Sequence, residues 1–107
     1  MAKYLLIESR DPYDSADSAH FLELAGGIRE RGHDVTLFLI QNGVLATRQG
    51  AEHCERYRDL AQNGVAVLAD SFSLRERAID RVVEGVKSAE IERLLELLDD
   101  GSKVMWH

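Results

Sequence analysis

One cysteine, one proline and few aromatic residues in 107 positions set the first limits. The lone thiol, Cys54, can close no internal disulfide, and the set is too poor for a cysteine-based zinc site, so a reducing cytoplasm is the expected compartment. The one proline, Pro12, has no backbone N–H to give and turns Asp11 away from helix, which marks a loop. Positive charge is also scarce. Thirteen Lys and Arg face 19 Asp and Glu, for a net charge of −6, a field that repels phosphate backbones, so no nucleic-acid partner is expected. No apolar run approaches the ~20 residues that span a bilayer, and the N-terminus lacks a basic region followed by an apolar stretch, so neither a membrane nor a secreted class is expected. The length suits one domain over residues 1–107.

Several chemical signatures are missing too. There is no G-x-G-x-x-G after the first apolar run and no G-x-x-x-x-G-K-[ST] anywhere, which removes two nucleotide-binding modes. No serine sits in a G-x-S-x-G elbow. His20, His33, His53 and His107 have no spacing that puts two on one helical face, so no metal and no cofactor is expected.

What is present alternates between two periodicities. Lys3–Ser9 is a short apolar run closed by the polar Arg10–Ser15, a buried strand and its loop. From Ser15 onward Phe21, Leu24, Ala25 and Ile28 recur at helical steps, and Gly32 stands where a left-handed cap would end the helix. Gly26-Gly27 costs helix propensity, which close approach to a sheet would compensate. Val35–Ile40 is apolar at nearly every position, as in a strand covered on both faces, and Gln41-Asn-Gly43 turns the chain. Ala51, Cys54, Tyr57, Leu60 and Ala61 form a second helical stripe, followed by Asn63-Gly64 and a third buried run, Val65–Ala69. Ser73 and Glu76 have capping-box spacing and open a short helix to about Ile79. Val82-Val83 and Val86 admit a fourth strand. Ser88 opens a helix with Ile91, Leu94, Leu95 and Leu98 on one face, and Lys103–His107 is a last strand. This order predicts an α/β fold: a three-layer α/β/α sandwich around a mostly parallel sheet of about four or five strands.

In such sheets the ligand crevice lies beyond the carboxyl ends of the strands. That rule selects Asp11, Tyr13 and Asp14 after the first strand, Asn42 after the second, Asp70 and Ser71 after the third, and His107 at the last. They make either a polar pocket or ordinary turn and cap residues. Asp70 is open to both readings, a base or a helix cap. Cys54 shares its stripe with apolar residues in mid-helix, away from the helix N-terminus that would favour thiolate; His53 and Arg56 could lower its pKa if they face it.

The order of segments resembles the DsrE/DsrF-like family of small α/β proteins associated with intracellular sulfur relay. The likeness is carried by Asp11-Pro-Tyr13, Arg31-Gly-His-Asp-Val-Thr-Leu-Phe-Leu39, Asn42-Gly-Val44, Asn63-Gly-Val-Ala-Val-Leu-Ala69, Ser73-Leu-Arg-Glu-Arg-Ala-Ile79 and Glu84-Gly-Val86. Sulfur-relaying members of the family carry a persulfide-forming cysteine directly after the third strand. Here that position is Asp70, which cannot form a persulfide. Arg77 matches a family arginine after the site, and the resemblance implies that it pairs with Asp70 or holds an anion. The pocket set is then Asp11, Tyr13, Asn42, Asp70, Ser71, Arg77 and His107.

The resemblance also implies a homo-oligomer, trimer or hexamer, and a sulfur-metabolism protein as partner. Tyr57, Phe72, Met105 and Trp106 are bulky enough for an interface, or else belong to the core. Three readings stand at this point. The first is a non-catalytic, DsrE-like binding or partner-interaction subunit. The second is a thiol-dependent sulfur carrier or small redox protein using Cys54. The third is an enzyme using Asp70 with Arg77.

Overall fold

The computed structural model describes residues 2–107. Five strands form one fully parallel sheet: β1 (Lys3–Glu8), β2 (Asp34–Leu39), β3 (Ala66–Asp70), β4 (Val86–Ala89) and β5 (Lys103–Trp106), in the spatial order β4-β3-β2-β1-β5. The helices are α1 (Asp17–Glu30), α2 (Cys54–Gln62), α3 (Ser71–Glu76) and α4 (Ile91–Asp99), with a 3-10 segment over Gln41–Thr47. The alternating α/β reading of the sequence therefore holds. Alternation along the strands divides the core in two. Leu6, Val35, Leu37, Leu39, Val67 and Ala69 pack on the side of α1, α2 and α3, with Leu22, Ala25, Tyr57 and Leu74. Leu5, Ile7 and Phe38 point the other way, onto Leu97 and Leu94 of α4. Three helices thus cover one face and a single helix the other. No helix among the described residues is long and apolar enough to cross a membrane.

Several local expectations shift, each for a physical reason. The fourth strand is Val86–Ala89, not the stretch from Val82, and Ser88 lies inside it. Val82-Val83 instead pairs with the end of the 3-10 segment, where the Val83 N–H donates to the Thr47 carbonyl at 2.7 Å. The capping box at Ser73 is replaced by an earlier cap. Asp70 caps α3, and Ser73 sits one turn inside it. In α1 the inward residues are Leu22 and Ala25, while Leu24 is exposed. In α4 the sheet takes Leu94 and Leu97, leaving Ile91, Leu95 and Leu98 outside. The helix carries two apolar stripes, and periodicity alone does not say which one the sheet selects. Gly26 faces α2 rather than the sheet: a Cβ there would lie 3.4 Å from Leu60 Cδ2. Gly32 has φ +90°, as the cap reading requires.

Candidate functional site

Four strand ends meet along the carboxyl edge of the sheet, and the candidate residues divide there into separate groups. Asp70 is buried at the end of β3, where its Oδ2 accepts from the Ser73 N–H at 3.1 Å and the Ser73 hydroxyl at 2.7 Å. The Ser73 oxygen in turn accepts from the Gln41 N–H at 2.8 Å. Gln41 has a left-handed conformation, φ 51°, which costs a non-glycine residue energy. Asp70 is thus a helix cap that also ties the β2 and β3 loops together. It borders a cavity of about 340 Å³ lined with Ile40, Phe72, Glu76, Glu90 and Ile91.

Arg77 does not reach Asp70. Its guanidinium donates to Asn42 Oδ1 at 3.0 and 3.2 Å and to the Ser73 carbonyl at 3.2 Å, with Glu76 at 3.8 Å. Ser71 opens α3, and its hydroxyl is buried without a hydrogen-bond partner among the described residues. Asp11 and Asn42 border a second, polar cavity of about 290 Å³ with Ser9, Arg10, Asp14 and Ser15. Asp11 is buried and employed locally: its Oδ1 accepts from the Tyr13 and Asp14 N–H groups at 2.7 and 3.0 Å. Tyr13 turns away, donating to the Glu52 carbonyl at 2.7 Å with its ring 5.6 Å from that of His53. Burial, followed by the nearby Glu52 charge, raises its phenol above the ordinary value.

Cys54 needs a correction. It is the first residue of α2, not a mid-helix residue, because His53 ahead of it adopts φ 74° and starts the helix there. The helix N-terminus favours thiolate. Burial opposes this: the residue is 8% exposed and belongs to the main core cluster.

The sequence reading passed over Glu8. It shares the inward side of β1 with Leu6, an apolar position, and is 1% exposed. That inward placement of a charged residue was the available signal. The Glu8 carboxylate accepts from the Arg10 N–H at 2.8 Å and lies 2.9 and 3.1 Å from His107 Nδ1. Phe21 of α1 lies against the imidazole, ring centres 5.4 Å apart. The pair stands where β1 meets β5. The chain leaves β1 through α1 on one face and enters β5 from α4 on the other, so this is the sheet's switch point. The Tyr57 and Ser18 hydroxyls are buried with no hydrogen-bond partner among the described residues. Burial first, and then the Glu8 charge, push the Tyr57 phenol well above its ordinary value of 10.0. Among the described residues, no group of three or more His, Cys, Asp or Glu side chains is placed to hold a metal ion.

Comparison with solved structures shows the same fold elsewhere. The ychN protein from E. coli matches with TM-score 0.87 and 22% identity over 100% of both chains. MTH1491 from Methanobacterium thermoautotrophicum, a protein of unknown function, matches with TM-score 0.79 and 18% identity, again over 100% of both chains. BT1422 from Bacteroides thetaiotaomicron, also of unknown function, gives TM-score 0.80 and 17% identity over 98% of this chain and 94% of that one. No curated protein matches the chain. The DsrE/DsrF-like family profile, however, matches residues 2–106, nearly the whole length, and the chain belongs to that family.

Proposed function

We propose that this protein is a non-catalytic DsrE-like subunit, a homo-oligomeric binding or partner-interaction protein related to intracellular sulfur metabolism. The observation that carries the reading is the state of Asp70. The residue standing where sulfur-relaying relatives keep a thiol has no sulfur, and its carboxylate is committed to Ser73 and the start of α3. The family supplies the link to sulfur metabolism.

Assembly is supported by the uneven cover of the sheet. On the α4 side Leu95 is 59% exposed and Trp106 68%, with Ile91, Leu98 and Val104 also open, and Phe72 is 57% exposed beside Ile91. Exposed apolar surface of this kind marks protein contacts. Of the four bulky residues considered for an interface, Tyr57 is core, Met105 is half-buried, and Phe72 and Trp106 remain available. The proposed assembly is a trimer or hexamer in the cytoplasm.

Mass spectrometry after incubation with a persulfide donor tests the chemistry: the protein should take up no sulfur that it then passes on. Onward transfer would overturn the reading. Sedimentation tests the assembly, and a monomer at micromolar concentration would remove that part. A second reading, a sulfur carrier using Cys54, is favoured by the position of that residue at the start of α2. It requires iodoacetamide to alkylate Cys54 in the folded protein. Labelling only after denaturation rejects it.

A further inference from the structure

We propose that the cavity at the end of β3, between the starts of α3 and α4, receives a lysine side chain presented by a partner protein. This rests on the partner-interaction reading above and names the chemistry that the partner brings. The cavity, about 340 Å³, has apolar walls from Ile40, Phe72 and Ile91 and three carboxylates, Asp70, Glu76 and Glu90. No basic side chain among the described residues lines it. Asp70 is its buried member, 6% exposed, whereas Phe72 and Ile91 stand open at its mouth. Ser73 takes up Asp70 Oδ2 with two bonds, so Oδ1 has no hydrogen-bond partner among the described residues. Glu90 stands at the N-cap of α4 without capping it, and its carboxylate is likewise unpaired among the described residues. Glu76 is shared with Arg77, whose Nη1 lies 3.8 Å away.

These surroundings select the occupant. An anion would meet three carboxylates in a protein of net charge −6. A neutral apolar group would strip water from Asp70 and Glu90 and give them no partner in return. A cation on an apolar stem suits both parts of the lining, with its methylenes on Ile40, Phe72 and Ile91 and its charge at the carboxylates. Lysine fits better than arginine. Asp70 offers one oxygen and cannot take the two-pronged bond of a guanidinium, while a compact ammonium donates singly to separate oxygens. The open faces of Phe72 and Ile91 favour a side chain carried on a polypeptide, because a free amine would leave them in water. A second copy of the chain is a poor source. Of its three lysines, Lys3 is held by Asp100 at 2.7 Å and Lys103 lies 5.5 Å over the Tyr4 ring, which leaves Lys87.

An NMR titration with the peptide acetyl-Leu-Lys-Leu-amide tests this. The peptide should shift the Ile40 and Ile91 methyls and the Phe72 ring saturably. Norleucine in place of lysine keeps the stem without the charge and should bind about tenfold more weakly. The arginine peptide should also be weaker, as should butylamine, which has stem and charge but no backbone. Asp70→Asn, which keeps an acceptor for the Ser73 N–H, and Glu90→Gln should each weaken the lysine peptide several-fold. Glu30→Gln removes a charge at the opposite end of α1 and should not. The proposal fails if no saturable shift occurs, if norleucine, arginine or butylamine matches lysine, or if Glu30→Gln weakens binding as much as Glu90→Gln. It fails equally if the Ile40 and Ile91 methyls of the protein alone move with its concentration and Lys87→Ala stops the movement, since a second copy then fills the cavity. Onward sulfur transfer from a persulfide donor would overturn the non-catalytic reading without altering this titration, and a failed titration leaves the sulfur-uptake and sedimentation results as they stand.

Discussion

Asp70 and Glu8 are both buried carboxylates at the carboxyl edge of one sheet, and they are put to different uses. Asp70 is satisfied by its own neighbourhood, three residues ahead, as the cap of α3. Glu8 takes one local bond, from the Arg10 N–H, and is otherwise paired at the far end of the chain, 99 residues away, with an imidazole whose second nitrogen has no partner among the described residues. A carboxylate spent on backbone donors stabilises structure. One that orients another titratable side chain leaves that side chain able to exchange a proton. The position that family resemblance singles out is occupied by a helix cap, and the carboxylate paired with an imidazole stands at another strand end, that of β1.

The comparison can be broken most forcefully at Gly43. A Cβ there would sit 2.2 Å from the Glu8 main-chain oxygen, an atom that cannot swing away. Gly43→Ala should cost about 3 kcal/mol in urea unfolding and disturb His107 resonances more than those of Ser73. Equal disturbance at both would mean that the two ends are one unit. Next in size is the cap. Asp70→Ala should lose about 1–2 kcal/mol, while Asp70→Asn, which keeps an acceptor for the Ser73 N–H, should lose a few tenths. If Asn is as damaging as Ala, the charge of Asp70 matters beyond capping.

A double-mutant cycle between Glu8→Gln and His107→Ala should return a coupling of about 1 kcal/mol. A coupling near zero would demote the pair to coincidence. The smallest effect concerns the Tyr57 hydroxyl, which has no partner to lose among the described residues. Tyr57→Phe should stay within about 0.5 kcal/mol of the parent at pH 7, since removing an unpaired buried polar group costs little. Above pH 10 the two should part. The folded state holds the phenol proton beyond the ordinary value of 10.0, so the unfolded chain ionises first and stability falls as pH rises. Chemical denaturation between pH 9 and 11 should show that fall in the parent and a shallower one in Tyr57→Phe.

Legibility followed the range of the interactions. The apolar runs at Lys3–Ser9, Val35–Ile40 and Val65–Ala69 announced three strands because strands buried on both faces are apolar at nearly every position. The edge strand Val86–Ala89 carries Lys87 and Ser88 on a partly open border, so its composition resembles a loop or a helix start. The strand-end rule pointed to His107, which the structure has just after β5. It did not point to the partner Glu8, because a glutamate at the end of a strand looks like the beginning of a loop. Cys54 was misplaced by a few residues, since the left-handed turn at His53 that starts α2 has no glycine to mark it.

The sequence alone determined the alternating α/β class and the family, because local periodicity and residue identity are written directly in the chain. Only the tertiary structure decided that β5 lies beside β1 instead of extending past β4, and that Leu95 of α4 faces outward. Strand order and helix facing are settled by competition among long-range packings that no short window contains. That competition is also what brought Glu8 and His107 together.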